Sequence, residues 1–125
     1  MATKFYKCNH CGNVIIKTVD SGVPVLCCGE KMVELGPKTV DASQEKHVPV
    51  VTRVDDCRIK VEVGSVPHPM TEEHLIEWVA LETEQGYQVK KLSAGSEPVC
   101  TFTLADGDKA VAVYAYCNLH GLWQV

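Results

Sequence analysis

"CRIKVEV", residues 57–63, alternates apolar and charged side chains: Ile59, Val61 and Val63 share one face, Lys60 and Glu62 the other. A period of two marks a strand with one side on a core and one in water. Similar β-type runs lie on both sides of it, at 47–54 (HVPVVTRV), 75–83 (LIEWVALET), 87–92 (YQVKKL), 99–105 (VCTFTLA) and 109–116 (KAVAVYAY). Turn formers separate them: DD at 55–56, GSVPHP at 64–69, EQG at 84–86, AGSEP at 94–98 and ADGD at 105–108. This rhythm predicts an antiparallel β-sandwich of about seven strands. The stretch 71–78, TEEHLIEW, offers Thr71 as a helix cap, but Ile76, Trp78 and Val79 favour a strand.

Residues 1–36 follow a different logic. YKCNHCGNVI and VLCCGEKM are two short strand-like pieces, each with a cysteine-bearing turn and a glycine, Gly12 or Gly29, beside it. So short a segment buries too little apolar surface to fold alone, which predicts a metal staple. Gly36 and Pro37 then punctuate the chain. The expected organisation is therefore a small metal-stapled domain over 1–36 and a sandwich over 37–125.

Composition narrows the function. Hydrophobic residues make up 46% of the 125 positions and charged residues 22%, as in a folded globular protein. Twelve basic and sixteen acidic residues leave a net charge of −4, which argues against nucleic acid and against an anionic membrane as partners. No long apolar run and no basic-then-apolar leader is visible, so a cytoplasmic protein is expected. An odd count of seven cysteines, four of them closely spaced, reads as metal chemistry in a reducing compartment rather than a disulfide framework.

Cys8 and Cys11 form a CxxC, and Cys27 and Cys28 are adjacent. Two such thiolate pairs make a tetrahedral soft-metal site, for which iron and zinc both qualify. Side chains of adjacent residues diverge in a strand, so a distorted tetrahedron is expected. His10, inside the CxxC, is read as an exposed turn residue. The other histidines, His47, His68, His74 and His120, all fall at strand edges or turns, and Cys117 precedes His120 in a CxxH pair. A sandwich gathers its loops at two ends, so four imidazoles and one thiolate can converge on one metal. Pro67 and Pro69 stiffen the loop that carries His68. Backbone N–H groups of Asn118 and Leu119 are candidate donors to the Cys117 sulfur. Cys57 reads as a strand start, Cys100 as core, and Trp78 and Trp123 as packing residues.

The first 36 residues, with YKCNHCGNVI and VLCCGEKM, resemble desulforedoxin. TVDASQEKHVPV, VGSVPHPMTEEHLIEW and YCNLHGLW resemble superoxide reductase, and the chain as a whole resembles desulfoferrodoxin, the two-iron form. The resemblance implies one iron on Cys8, Cys11, Cys27 and Cys28. It implies a second, ferrous iron on His47, His68, His74, His120 and Cys117, with Glu45 as a carboxylate for the sixth position and Lys46 as the charge that attracts superoxide. It further implies an immunoglobulin-like sandwich, reduction of superoxide to hydrogen peroxide, a rubredoxin-like electron donor and a homodimer. The alternative is a non-catalytic iron electron carrier or a zinc-stapled binding module.

Overall fold

The computed structural model describes residues 3–40 and 46–125 and is all-β, with no helix among the described residues. No helix long and apolar enough to cross a membrane is present among them. The chain divides into two compact units, Met1–Gly36 and Pro37–Val125.

In the first unit β1 (Phe5–Lys7) is the middle strand of a sheet, flanked antiparallel by β2 (Val14–Ile16) and β5 (Val33–Leu35). A separate hairpin joins β3 (Leu26–Cys27) to β4 (Glu30–Lys31). Its two-residue turn is Cys28 at φ 53° and Gly29 at φ 76°, the left-handed pair that a tight hairpin turn requires. Glycine takes this conformation freely, whereas a cysteine there carries a cost of about 1 kcal/mol. The adjacent cysteines are thus not both strand residues: Cys27 ends β3 and Cys28 belongs to the turn.

The second unit contains seven strands among the described residues. One sheet has the order β10 (Val99–Thr103), β7 (Arg58–Val63), β6 (Pro49–Arg53); the other runs β12 (Gly121–Gln124), β11 (Ala110–Cys117), β8 (Ile76–Thr83), β9 (Tyr87–Lys91). Ile59, Val61 and Val63 of β7 pack in one core with Phe102, Leu104, Val79, Leu81, Val113 and Ala115. Both sheets feed that core, so they form a sandwich, and the alternation in 57–63 is the pattern of its inner face. Cys100 packs against the same core, part-buried. Cys57 is exposed, one residue ahead of β7, and its N–H donates to Asp55 Oδ1 at 3.0 Å.

Thr71 caps a turn rather than a helix. Its hydroxyl accepts from the His74 N–H at 3.1 Å, and its own N–H donates to the His74 carbonyl at 2.9 Å. The strand begins at Ile76, where β-branched and aromatic residues take over.

Candidate metal centres

The four amino-terminal sulfurs come together. Those of Cys8, Cys11, Cys27 and Cys28 all lie within 4.8 Å of one another. Cys11 and Cys27 are 3.6 Å apart, close to the roughly 3.8 Å edge of a tetrahedron with metal–sulfur bonds of about 2.3 Å. The turn after β1 is closed by Cys8 N–H to Asn13 O (2.8 Å) and Gly12 N–H to Cys8 O (2.9 Å). It aims the Cys11 N–H at the Cys8 sulfur from 3.4 Å. That bond leads the influences that hold the Cys8 thiol down to about 6, while sulfur crowding, led by Cys11, pushes Cys28 up to about 12 and Cys27 upward as well. One thiolate therefore opposes the next, and a cation among them relieves the conflict. All four are free cysteines, and His10 is exposed outside the group.

The second cluster joins His47, His68, His74, Cys117 and His120, whose donor atoms also lie within 4.8 Å of one another. Strand register explains the convergence. Pro49, at the start of β6, pairs with Val63 at the end of β7, so the loops bearing His47 and His68 leave one sheet at the same end. Ile76, at the start of β8, pairs with Cys117 at the end of β11, and Cys117 with Gly121 at the start of β12. His74 and His120 are therefore brought to Cys117 by the other sheet. Gly121, at φ 81°, supplies the left-handed residue that closes this short hairpin.

The rings form a closed circuit. His47–His68, His68–His74, His74–His120 and His120–His47 have centroids 4.9, 4.6, 5.1 and 4.9 Å apart, each pair edge-on with interplanar angles of 64–81°. Four imidazoles in a ring are a square array, and the Cys117 sulfur, 3.7 Å from His120 Nδ1, completes a five-donor set. Donors facing each other across an ion bound at about 2.1 Å would lie roughly 4.2 Å apart, so the cluster has room for one ion.

Hydrogen bonding sets which nitrogen points inward. His68 Nδ1 is 2.7 Å from the Pro69 carbonyl and donates to it, which leaves Nε2 with its lone pair. The Nε2 atoms of His68 and His74 are both buried without a hydrogen-bond partner. Such orphaned atoms are rare in folded proteins and fit a metal that would take their lone pairs. His120 presents Nδ1 instead, 3.1 Å from His47 Nε2. Burial, reinforced by the neighbouring imidazoles, holds His68 down to about 4 and lowers His74, so both are neutral ligand forms at neutral pH. Burial pushes the Cys117 thiol up, while the backbone N–H groups of Leu119 and His120 pull it down; Glu77 adds to the rise and Lys38 to the fall.

That last pair of donors differs from the sequence expectation by one residue. Leu119 reaches the sulfur, but the Asn118 N–H goes to the Leu75 carbonyl at 3.2 Å, and His120 takes its place. The Asn118 side chain has a role that sequence reading missed: its Oδ1 accepts from Leu75 N–H (3.0 Å) and its Nδ2 donates to the Glu73 carbonyl (2.9 Å). It thereby ties the His74 loop to the Cys117 loop. Trp123 was also missed. Its ring stacks on His47 at 4.5 Å and 14°, a placement readable only once Trp123 is paired with Ala115, on the face that carries Cys117. Trp78 stacks on Tyr116 at 5.3 Å. Lys46 is half-buried, and its charge is felt at His74. Glu45 lies outside the described residues.

Cysteine sulfurs and imidazoles gathered in two sets on an all-β scaffold define the class, a non-haem metalloprotein. The family model for desulfoferrodoxin matches residues 39–125. A desulfoferrodoxin homolog of Archaeoglobus fulgidus is 44% identical over 120 residues, covering 95% of this chain and 93% of the relative. The desulfoferrodoxin of Syntrophotalea carbinolica is 44% identical over 118 residues, covering 94% and 91%. The crystal structure of the superoxide reductase from Treponema pallidum superposes with a TM-score of 0.86 at 38% identity, covering 99% of this chain and 98% of that one. The chain belongs to the desulfoferrodoxin family.

Proposed function

We propose that this protein is a superoxide reductase, which adds one electron and two protons to superoxide to form hydrogen peroxide at a mononuclear ferrous site on His47, His68, His74, His120 and Cys117. The observation that carries the reading is the pair of orphaned, buried Nε2 atoms of His68 and His74, gathered with three further donors within 4.8 Å. Iron held by these five residues would supply the electron for the reduction.

The chain's own groups do the rest. The Pro69 carbonyl keeps the His68 ring turned so that Nε2 faces the cluster. Cys117 would give its sulfur to the metal as a thiolate, the N–H groups of Leu119 and His120 favouring the anion against the burial that raises the thiol. Lys46 draws an anion toward an otherwise acidic protein, its charge lying near enough to be felt at His74. Glu45, outside the described residues, would serve as a carboxylate for the iron after the product has left. The four cysteines of residues 1–36 would hold a second iron that carries electrons, supported by the gathering of their sulfurs within 4.8 Å and the 3.6 Å separation of Cys11 and Cys27. A rubredoxin-like donor, a homodimer and a cytoplasmic setting complete the proposal.

The test is stopped-flow mixing of the reduced, iron-loaded protein with pulsed superoxide. Peroxide equal to the superoxide consumed, with no dioxygen released, supports reduction. Release of dioxygen alongside peroxide would mean dismutation and overturn it. Colourless zinc at the four-cysteine site of protein isolated from its host would remove the electron-carrying role.

A further inference from the structure

Lys38 belongs to neither donor set, yet it is anchored against one of them. Its N–H donates to the Leu122 carbonyl at 3.0 Å and its carbonyl accepts from the Gln124 N–H at 2.8 Å, an isolated parallel bridge to Trp123 on β12. From this fixed backbone Nζ donates to the His120 carbonyl at 3.2 Å. It also stands 5.1 Å from the centroid of the Trp123 ring, the ring that stacks on His47. Ammonium, indole and imidazole form a continuous chain of contacts, and the ammonium's second contact is the backbone of another cluster residue.

Lys38 is exposed, but where a lysine without contacts spreads its charge over many rotamers, two contacts hold this ammonium near one position. The cation–π contact and the carbonyl acceptor both favour the same position for Nζ. Glu77 is exposed on β8, next to the Ile76 that pairs with Cys117, and the two charges act on the Cys117 sulfur with opposite sign. Lys46 is placed differently, since its charge is felt at His74. An iron centre gains a positive charge on oxidation, so a fixed cation nearby favours the reduced form and a fixed anion the oxidised form.

We propose that Lys38 is a positioning residue that holds the reduction potential of the His/Cys centre up from the Cys117 side, with Glu77 as its opposing charge. This rests on the assignment of iron to that cluster. A purely structural role, as a clasp for β12, predicts no ordered effect on potential.

Redox titration of the iron-loaded protein, followed through the thiolate-to-iron absorption of the His/Cys centre, which Cys117→Ser identifies by its loss, separates the two. Lys38→Met is expected to lower the potential, Lys38→Arg to keep it near wild type, and Glu77→Gln to raise it. A Lys38→Met protein that titrates at the wild-type potential, or one that shifts in the same direction as Glu77→Gln, overturns the inference while leaving the iron assignment intact. Wild-type protein that takes up no iron at the five-donor cluster overturns the assignment and the inference together.

Discussion

Asn118 shows how one side chain can set the geometry of a site without supplying a donor atom to it. With its amide bridging Leu75 N–H and the Glu73 carbonyl, it fixes the loop that precedes His74. Asn118→Ala leaves both groups without their partner. The expected cost is about 1–3 kcal/mol, read as a lower denaturation midpoint, with faster loss of metal to a chelator. His68 contributes to the pH response of the metal-free protein. Its folded-state value, about 4 against an ordinary 6.5, is lowered chiefly by burial. Between those values the unfolded chain binds a proton that the folded chain refuses, so stability rises with pH in that window. The contribution is complete above about pH 6.5 and lost on descending to about 4. Its size is on the order of 3 kcal/mol, with His74 shifted in the same sense. Urea midpoints of metal-free protein at pH 7 and pH 5 test this, and His68→Gln should flatten the difference. Cys117→Ser exchanges a soft thiolate for a hard hydroxyl, so the iron-loaded variant should lose the thiolate-to-iron band of the His/Cys centre and keep that of the four-cysteine site.

The strands act as rulers. β7 and β10 pair Ile59 with Phe102, and β8 and β11 pair Val79 with Ala115, all four buried in the shared core. The register shift between Tyr116 and Cys117 skips Glu77 on β8, so Cys117 faces Ile76. A bulge of this kind re-aims a side chain at the end of a ladder. Here it leaves Cys117 among the core residues while Glu77 is exposed. Core and site are separable in energy: Phe102 is fully buried and contributes no donor. Phe102→Ala is expected to cost about 3–5 kcal/mol in thermal or urea unfolding. The absorption of the iron-loaded protein should remain unchanged in the fraction that folds.

Across the whole molecule, stability is unevenly founded. The second unit has a core drawn from both sheets of a seven-strand sandwich. In the first, Phe5, Cys8 and Met32 are the buried hydrophobic residues among those described. A unit of that size depends on its metal. Chelation should collapse the amide dispersion of residues in 1–36 in an NMR spectrum while the resonances of the sandwich persist, and Cys8→Ser should do the same without chelator.

The β class, the strands around Ile59–Val63, and the two sets of candidate donors were legible from the sequence because alternation and ligand spacing are local properties of the chain. Thr71 was legible as a cap, but of a turn, since a capping hydroxyl serves either and only the residues that follow choose between them. Tertiary structure decided the rest. Whether His47 meets His120 depends on the pairing of Pro49 with Val63 and of Cys117 with Gly121, and long-range register is set by which faces the two sheets bury. The inward nitrogen of His68, the Asn118 clasp, and the stack of Trp123 on His47 with Lys38 over the indole all arise from contacts between distant segments. Sequence spacing carries no record of them, because they exist only once the two sheets have closed on a common core.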